Sequence, residues 1–264
     1  MNIGIVGCGG RMGRMLIETV MATDGAALAG GTEQAGSPFV GQDLGLLVGS
    51  KTVGAVVMDD ARALFDASDV VIDFTVPAAT AAHAALAFDT RTAMVIGTTG
   101  LSPEQQSAVQ GGSETAAIVQ AGNMSLGVNL LVGLARQAAD LLGPDYDIEI
   151  VEMHHKHKID APSGTALMLG KAAAEGRGID HDANAVLSRE GQTGARPDQA
   201  IGYATLRGGD VVGDHTVIFA GPSERVELTH RASSREIFAR GAVRAAMWCE
   251  GRAPGLYSMR DVLG

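Results

Sequence analysis

Ile3-Gly4-Ile5-Val6-Gly7-Cys8-Gly9-Gly10-Arg11-Met12-Gly13 passes from a short apolar run straight into a glycine-rich turn. Beyond it, Met12, Met15, Leu16 and Val20 recur at helical spacing. Strand, glycine turn and helix, in that order, form the context in which such a turn binds a dinucleotide. Gly7 permits the tight turn, Gly9 or Gly10 lets backbone approach a pyrophosphate, and Gly13 lets the helix pack closely on the strand. A second strand, about Ala26 to Gly30, ends near Glu33. A carboxylate there can accept hydrogen bonds from an adenosine ribose. Met12 takes the third place of a strict G-x-G-x-x-G and Gly13 follows it. Plain chain punctuation is the competing reading; the register of strand, helix and Glu33 favours the cofactor.

The alternation continues downstream. Val70 to Phe74 reads as a buried parallel strand, followed by an Ala-rich helix to about Phe88. Ala93 to Ile96 is another strand, Ser102-Pro103 an N-cap with proline at the first helical position, and Ala116 to Val119 a further strand. Three strand ends carry small or polar residues: Phe74-Thr75, Gly97-Thr98-Thr99 and Asn123-Met124-Ser125. Each alone is ordinary turn chemistry. Together they suggest the ligand edge of a doubly wound sheet. The acidic Glu33 suits a free 2′-hydroxyl, and Gln34 offers no charge to a 2′-phosphate, although Arg11 could reach over. NADH is therefore expected to be used at least as well as NADPH.

The composition is that of an ordinary globular chain of 264 residues, with 46% hydrophobic and 19% charged residues, which argues against disorder. The 36 glycines and only 4% aromatics suit an α/β protein with many tight turns. A net charge of −10 argues against a nucleic-acid surface. Cys8 and Cys249 form neither a disulfide framework nor a metal spacing. No apolar run approaches the roughly 20 residues that span a bilayer, and Met1 leads straight into the first strand without a cleavable leader. A cytoplasmic protein with no membrane partner is expected.

Past Ser125 the pattern changes. Leu126 to Leu142 reads as a long apolar helix closed by Gly143-Pro144, and Asp147 to Met153 as a strand. That strand feeds His154-His155-Lys156-His157-Lys158, three histidines and two lysines in succession, followed by the helix start Pro162-Ser163-Gly164-Thr165. If the strand persists, His155 and His157 share one face and His154, Lys156 and Lys158 the other. Three readings compete for the cluster. Metal ligation lacks a matched partner set and meets repulsive lysines, so no metal is expected. A solvated charged loop is the bland alternative. Anion binding with acid/base work is favoured, because a helix N-terminus follows at once. Asp160 reads as a turn-former or a partner for a lysine, and Ser163 as an N-cap. From Ile201 the chain is β-like through Tyr203–Arg207, His215–Phe219 and Arg225–Arg231, with one sheet face buried by a partner subunit, and Phe238 to Glu250 is a last helix.

These elements predict an α/β fold. A Rossmann-like doubly wound parallel sheet occupies 1–125, with 238–264 returning to it. A second α+β domain for substrate and oligomerisation, with a mainly antiparallel sheet, occupies 126–237.

Gly7-Cys-Gly-Gly-Arg-Met-Gly-Arg14, Gly97-Thr-Thr-Gly100, Glu152-Met-His-His-Lys-His-Lys-Ile-Asp-Ala-Pro-Ser-Gly-Thr-Ala166, Gly213-Asp-His-Thr216 and the closing Met259-Arg-Asp-Val-Leu263 together resemble the 4-hydroxy-tetrahydrodipicolinate reductase (dihydrodipicolinate reductase) family, in order along the whole chain. The resemblance implies NAD(P)H-dependent reduction of a cyclic imine carrying two carboxylates, with loss of its 4-hydroxyl as water, in diaminopimelate and lysine synthesis. It implies that His154 is the proton donor/acceptor and Lys158 the proton donor. His155, Gly164 and Thr165 match substrate positions, and one carboxylate can sit on the Ser163–Thr165 N–H groups. Gly7, Cys8, Gly9, Gly10, Arg11, Met12, Glu33, Gly97, Thr98, Thr99, Ala121, Gly122, Asn123 and Met124 match the nicotinamide-cofactor positions. Gln34 departs from members that carry arginine there, which weakens the case for NADPH preference. The resemblance also implies a homotetramer assembled through the second sheet, and closure of the second domain over the first. Two other readings stand beside it: a different two-domain amino-acid or sugar dehydrogenase, and a non-catalytic NAD(H) sensor. The first gives no reason for the arrangement from Lys158 to Thr165, and a sensor has no need of the acid/base groups at His154 and Lys158.

Overall fold

Short runs of consecutive apolar residues, each followed by a helix, give parallel strands buried on both faces. The computed structural model describes residues Met1–Gly264. They divide into two units, Met1–Leu126 with Glu236–Gly264, and Gly127–Arg235.

The first unit runs β1 (Asn2–Val6), α1 (Arg11–Met21), β2 (Ala27–Thr32), α2 (Leu44–Leu47), β3 (Val57–Met58), α3 (Ala61–Asp66), β4 (Val70–Asp73), α4 (Pro77–Thr90), β5 (Ala93–Ile96), α5 (Pro103–Gly112) and β6 (Ala117–Gln120). The chain then passes through α6 (Leu126–Leu142), β7 (Asp147–His154), α7 (Gly164–Arg177), α8 (His181–Asn184), β8 (Ala185–Val186), β9 (Ile201–Arg207), β10 (Gly213–Gly221) and β11 (Glu224–Ala232). It returns to the first unit with α9 (Glu236–Trp248), β12 (Gly255–Tyr257) and α10 (Met259–Leu263). The helix expected to be last is thus followed by a strand and a one-turn helix. Ser258 caps that turn, and its box with Asp261 closes it.

The first sheet has the order β12-β6-β5-β4-β1-β2-β3 and is parallel throughout. Alternate side chains feed two cores. Ile3, Ile5, Val70, Ile72, Val95 and Val119 meet α1 and α9 on one face. Val6, Val71, Met94, Ile96 and Ile118 meet α3, α4 and α5 on the other. Ser102 caps α5 through a capping box with Gln105, behind Pro103 at the first position.

The second sheet has the order β11-β10-β7-β9-β8. The expected antiparallel pairing holds for β10 with β7 and with β11. The sheet is nevertheless mixed, because β9 pairs parallel with both β7 and β8. A crossover through α7 separates β7 from β9, and a crossover favours parallel pairing. Ile148, Ile150, Ile201, Tyr203, Val217 and Phe219 bury one sheet face against α6 and α7.

Gly241 marks the tightest helix contact of the first unit. A Cβ there would lie 1.7 Å from the carbonyl oxygen of Met124. Backbone cannot yield cheaply, so Gly241→Ala is expected to cost about 1–3 kcal/mol by overpacking. In a thermal melt this appears as a Tm lower by about 5 °C. An unchanged Tm would show that α9 does not press on that backbone.

Candidate functional site

The glycine turn after β1 places Gly7 at φ +66°, a left-handed conformation that favours glycine. Gly10 is the extended N-cap of α1, so the first-turn N–H groups of that helix border the turn. A Cβ on Gly13 would come within 2.4 Å of the Gly7 carbonyl oxygen. Glu33, beyond β2, accepts a 2.7 Å hydrogen bond from the Gly9 N–H. Arg14 donates to the Gly9 carbonyl at 3.0 Å, and its guanidinium lies 5.2 Å from the centre of the Phe39 ring. Arg11, Gly10 and Gln34 are exposed at the same edge. Cys8 is wholly buried, and burial, with Glu33 nearby, pushes its thiol up to about 12. Only its backbone is available to a ligand there.

A buried carboxylate ties the next two strand ends together. Asp73, the last residue of β4, accepts from the Thr75 N–H (2.8 Å), the Thr75 hydroxyl (2.6 Å) and the Thr98 hydroxyl (3.2 Å) on one oxygen. His83 Nδ1 lies 2.8 Å from the other. Burial opposes ionisation of Asp73. The His83 interaction and the Thr75 bonds outweigh it and hold the carboxyl below the usual carboxylate range. The Thr98 hydroxyl also accepts from the Thr75 N–H (3.1 Å) and the Thr80 hydroxyl (2.9 Å), so its one proton and both lone pairs are used internally. Thr99 is exposed and Met124 is 1% exposed within the core. Backbone, rather than the Thr98 or Met124 side chain, is what these loops can offer a ligand.

In the second unit β7 alternates strictly, with Ile148, Ile150, Glu152 and His154 on the buried face. Two polar residues therefore extend an apolar stripe. Glu152 is 1% exposed. Its Oε2 lies 2.6 Å from His154 Nδ1, and Arg207 clasps both carboxylate oxygens at 2.8 and 2.9 Å. Oε1 also accepts from the Ser163 N–H at 3.1 Å and from the Thr205 hydroxyl at 3.3 Å. Burial raises the Glu152 pKa, but Arg207 and His154 more than offset it, so the net direction is downward. His154 moves down as well: burial disfavours the imidazolium, Glu152 favours it, and Lys158 and Arg207 add repulsion. A Cβ on Gly213 would sit 2.9 Å from His154 Nε2, so glycine there leaves room beside that nitrogen.

The strand does not persist past His154, which overturns the expected two-face division of the cluster. Gly208 donates to the His154 carbonyl (2.9 Å) and His155 to the Val211 carbonyl (2.8 Å), turning the chain against the β9–β10 connection. Lys156 and His157 then form an exposed turn. His155 Nε2 lies 3.5 Å from an Arg235 nitrogen. Lys158 pairs with Asp160 at 2.8 Å, and the Asp160 carbonyl accepts from Arg207 at 2.7 Å. Ser163 caps α7 through the Ala166 N–H (3.2 Å), while Gly164 and Thr165 open the helix. His215 of β10 lies 2.9 Å from the Ser163 hydroxyl and packs edge-on to His154 at 5.1 Å. The network thus joins His154, Ser163 and, through Asp160 and Arg207, Lys158. Glu152, Arg207, His215 and Asp73 carry no role in the sequence reading. The signal for the first and third was a polar residue in phase with the core face of a strand.

The fold's family likeness runs the length of the chain. A family model described as dihydrodipicolinate reductase, N-terminus, matches residues 1–124, and one described as dihydrodipicolinate reductase, C-terminus, matches residues 127–263. The 4-hydroxy-tetrahydrodipicolinate reductase of Brucella abortus is 55% identical over 265 residues, across 100% of this chain and 99% of that protein. That of Afipia carboxidovorans is 57% identical over 264 residues, across 100% and 97%. A solved structure, the dipicolinate-bound dihydrodipicolinate reductase from Paenisporosarcina sp. TG-14, matches with a TM-score of 0.78 at 27% identity, covering 98% of this chain and 97% of that one.

Asp73→Ala would leave His83 and the Thr75 and Thr98 hydroxyls without their acceptor. The expected loss is about 3 kcal/mol or more, read as a lower urea midpoint. A midpoint within error of the parent protein would show that the two strand ends hold without it.

Proposed function

The chain belongs to the dihydrodipicolinate reductase family, and from that premise we propose that it reduces 4-hydroxy-tetrahydrodipicolinate to tetrahydrodipicolinate with NAD(P)H, releasing water, in diaminopimelate and lysine synthesis. It is an oxidoreductase. The observation that carries the reading is the Glu152–His154–Arg207–Ser163 network, which sets a neutral imidazole near a cationic ammonium and a helix N-terminus. A dicarboxylic ring, such as the dipicolinate named for the Paenisporosarcina enzyme, suits that charge.

The first unit, Met1–Leu126 with Glu236–Gly264, binds the dinucleotide; the second, Gly127–Arg235, binds the substrate and carries the oligomer contacts. The turn Gly7–Met12 fits the pyrophosphate, because it is held tight by its own N–H bonds to Thr32, Glu33 and Gly7 and leaves the first-turn N–H groups of α1, from Arg11 on, at its edge. Glu33 faces the adenosine ribose, and the backbones of Gly97–Thr99 and Ala121–Met124 border the rest. When bound, the nicotinamide supplies a hydride to the substrate ring. With Glu33 anchored on Gly9 and Gln34 uncharged, NADH is used at least as well as NADPH. Val151, Met153, Leu206 and Ile218 line the sheet face turned away from the core, with Leu206 half exposed, which supports a homotetramer built through that sheet. The nicotinamide pool and two buried free thiols suit the cytoplasm.

Glu152 accepts from His154 Nδ1–H, leaving the Nε2 lone pair for a ring proton. Lys158 gives a proton to the departing 4-hydroxyl, which leaves as water. After hydride arrives, His154 returns its proton to the ring carbon. His155, the Ser163 hydroxyl and the Gly164 and Thr165 N–H groups hold carboxylates, while the Ser163 N–H, expected in the same seat, is spent on Glu152.

Purified protein given freshly generated substrate is expected to oxidise NADH; no oxidation of NADH or NADPH overturns the assignment. Lys158→Ala is expected to lower kcat by about 100-fold or more with NADH affinity unchanged. An equal loss of NADH binding would mean that Lys158 serves the cofactor instead.

The pH profile carries a sign. The His154 pKa lies below its ordinary value of about 6.5. The working form is the neutral one, so kcat/KM stays level from that value to neutral pH and falls as pH drops through the lowered pKa. An activity that declined on raising pH through 7 would make His154 a cationic donor instead.

A further inference from the structure

His215 takes no part in the chemistry above, yet it is 4% exposed and hydrogen-bonded to a hydroxyl at the start of α7. We infer that His215 is a positioning residue that forces the Ser163 hydroxyl to act only as a donor, aimed at a substrate carboxylate. The inference rests on the reading of Ser163–Thr165 as a carboxylate seat.

The argument is a count of bonds. A serine hydroxyl has one proton and two lone pairs. One lone pair of Ser163 Oγ accepts from the Ala166 N–H at 3.2 Å, as the helix cap requires. His215 Nε2, at 2.9 Å, either donates to the second lone pair or accepts the proton. Its other nitrogen, Nδ1, is buried and has no partner. Burial pushes the imidazole down to about 4, so at neutral pH the ring carries a single N–H. If the hydroxyl donated to Nε2, that single N–H would sit on Nδ1, a buried donor with nothing to receive it. Orphaned buried N–H groups are the rarer defect in folded proteins. With the proton on Nε2 instead, His215 fills the second lone pair and the Ser163 O–H is the one valence left over. A hydroxyl that can only donate favours an acceptor such as a carboxylate. With its proton spent on His215, it would present a lone pair to that carboxylate and repel it.

The surroundings hold this geometry. His215 and Gly213 share the buried face of β10, and His154 packs edge-on against the His215 ring. The Ser163 N–H is separately anchored on Glu152, so backbone and side chain of Ser163 are held by different groups.

The test uses the full-length protein and dipicolinate as a stable dicarboxylate probe. His215→Gln can place an amide N–H near the Nε2 position, whereas His215→Leu cannot donate and His215→Asn is too short to reach. The expected result is a dipicolinate Kd and a substrate KM raised about tenfold in the Leu and Asn variants, or about 1.4 kcal/mol. kcat and NADH affinity should stay within about twofold, and Gln should restore most of the loss. Ser163→Ala should show the same loss, with no further loss when combined with His215→Leu. Equal damage in Gln and Leu variants, additive losses, or an unchanged Kd in Ser163→Ala would each overturn the inference. If the Leu variant fails to fold, the Gln and Asn pair gives the same comparison. A parent protein that oxidises no NADH sinks the reductase reading, whereas an active parent with unaffected His215 variants sinks this inference alone.

Discussion

Glu152 is the residue on which the second unit's buried polar network depends. A carboxylate buried to 1% exposure is costly unless both of its oxygens are bonded and its charge is matched. Arg207 supplies the charge in a two-pronged clasp, and His154, Ser163 and Thr205 supply the remaining donors. Each of those partners is thereby fixed in turn. His154 is held by its Nδ1 in one tautomer, the α7 N-terminus is held by its cap residue, and Arg207 reaches on to the Asp160 carbonyl beside Lys158. A neutral amide at 152 could not satisfy all of these at once. The proposed acid/base pair and the proposed carboxylate seat therefore share one foundation.

The first unit solves a similar problem at the end of β4. Asp73 closes a strand that is otherwise Val70-Val71-Ile72, and its two oxygens gather His83, Thr75 and Thr98. Parallel strands leave their last carbonyls and their loops without ladder partners, and ligands bind beyond those ends. A buried carboxylate at such a position draws neighbouring loops into one arrangement before any ligand arrives. Pre-organisation of this kind lowers the ordering cost of binding.

Local pattern carried most of the first unit. The glycine turn, the apolar runs of β1, β4 and β5, and the Ser102-Pro103 helix start are all determined within a few residues, and each lies where periodicity and capping rules put it. In the second unit α6 covers Leu126–Leu142 and Ser163 caps α7 for the same reason. What could not be read depends on distant chain. β7 stops at His154 because Gly208 and Val211, more than 50 residues on, take the next backbone bonds. The partner of Glu152 lies 55 residues away in sequence, and the partner of Ser163, His215, lies 52 away. The parallel pairing of β9 likewise follows from the path through α7 rather than from the strand's own residues.

Thr98 and Ser163 show how far hydrogen-bond counting separates scaffold from ligand site. Both are buried hydroxyls at strand-end loops, and both belong to motifs that resemble binding positions. Thr98 spends every valence inside the protein: it accepts from Thr75 and Thr80 and donates to Asp73. Nothing remains on its side chain for a ligand, so its contribution is to shape. Ser163 accepts from Ala166, and in the proposed tautomer the N–H of His215 fills its other lone pair, which leaves its proton without an internal acceptor. Residue type and burial are nearly the same in the two cases. The number of internal partners differs by one, and that one unmade bond is what the proposed carboxylate seat uses.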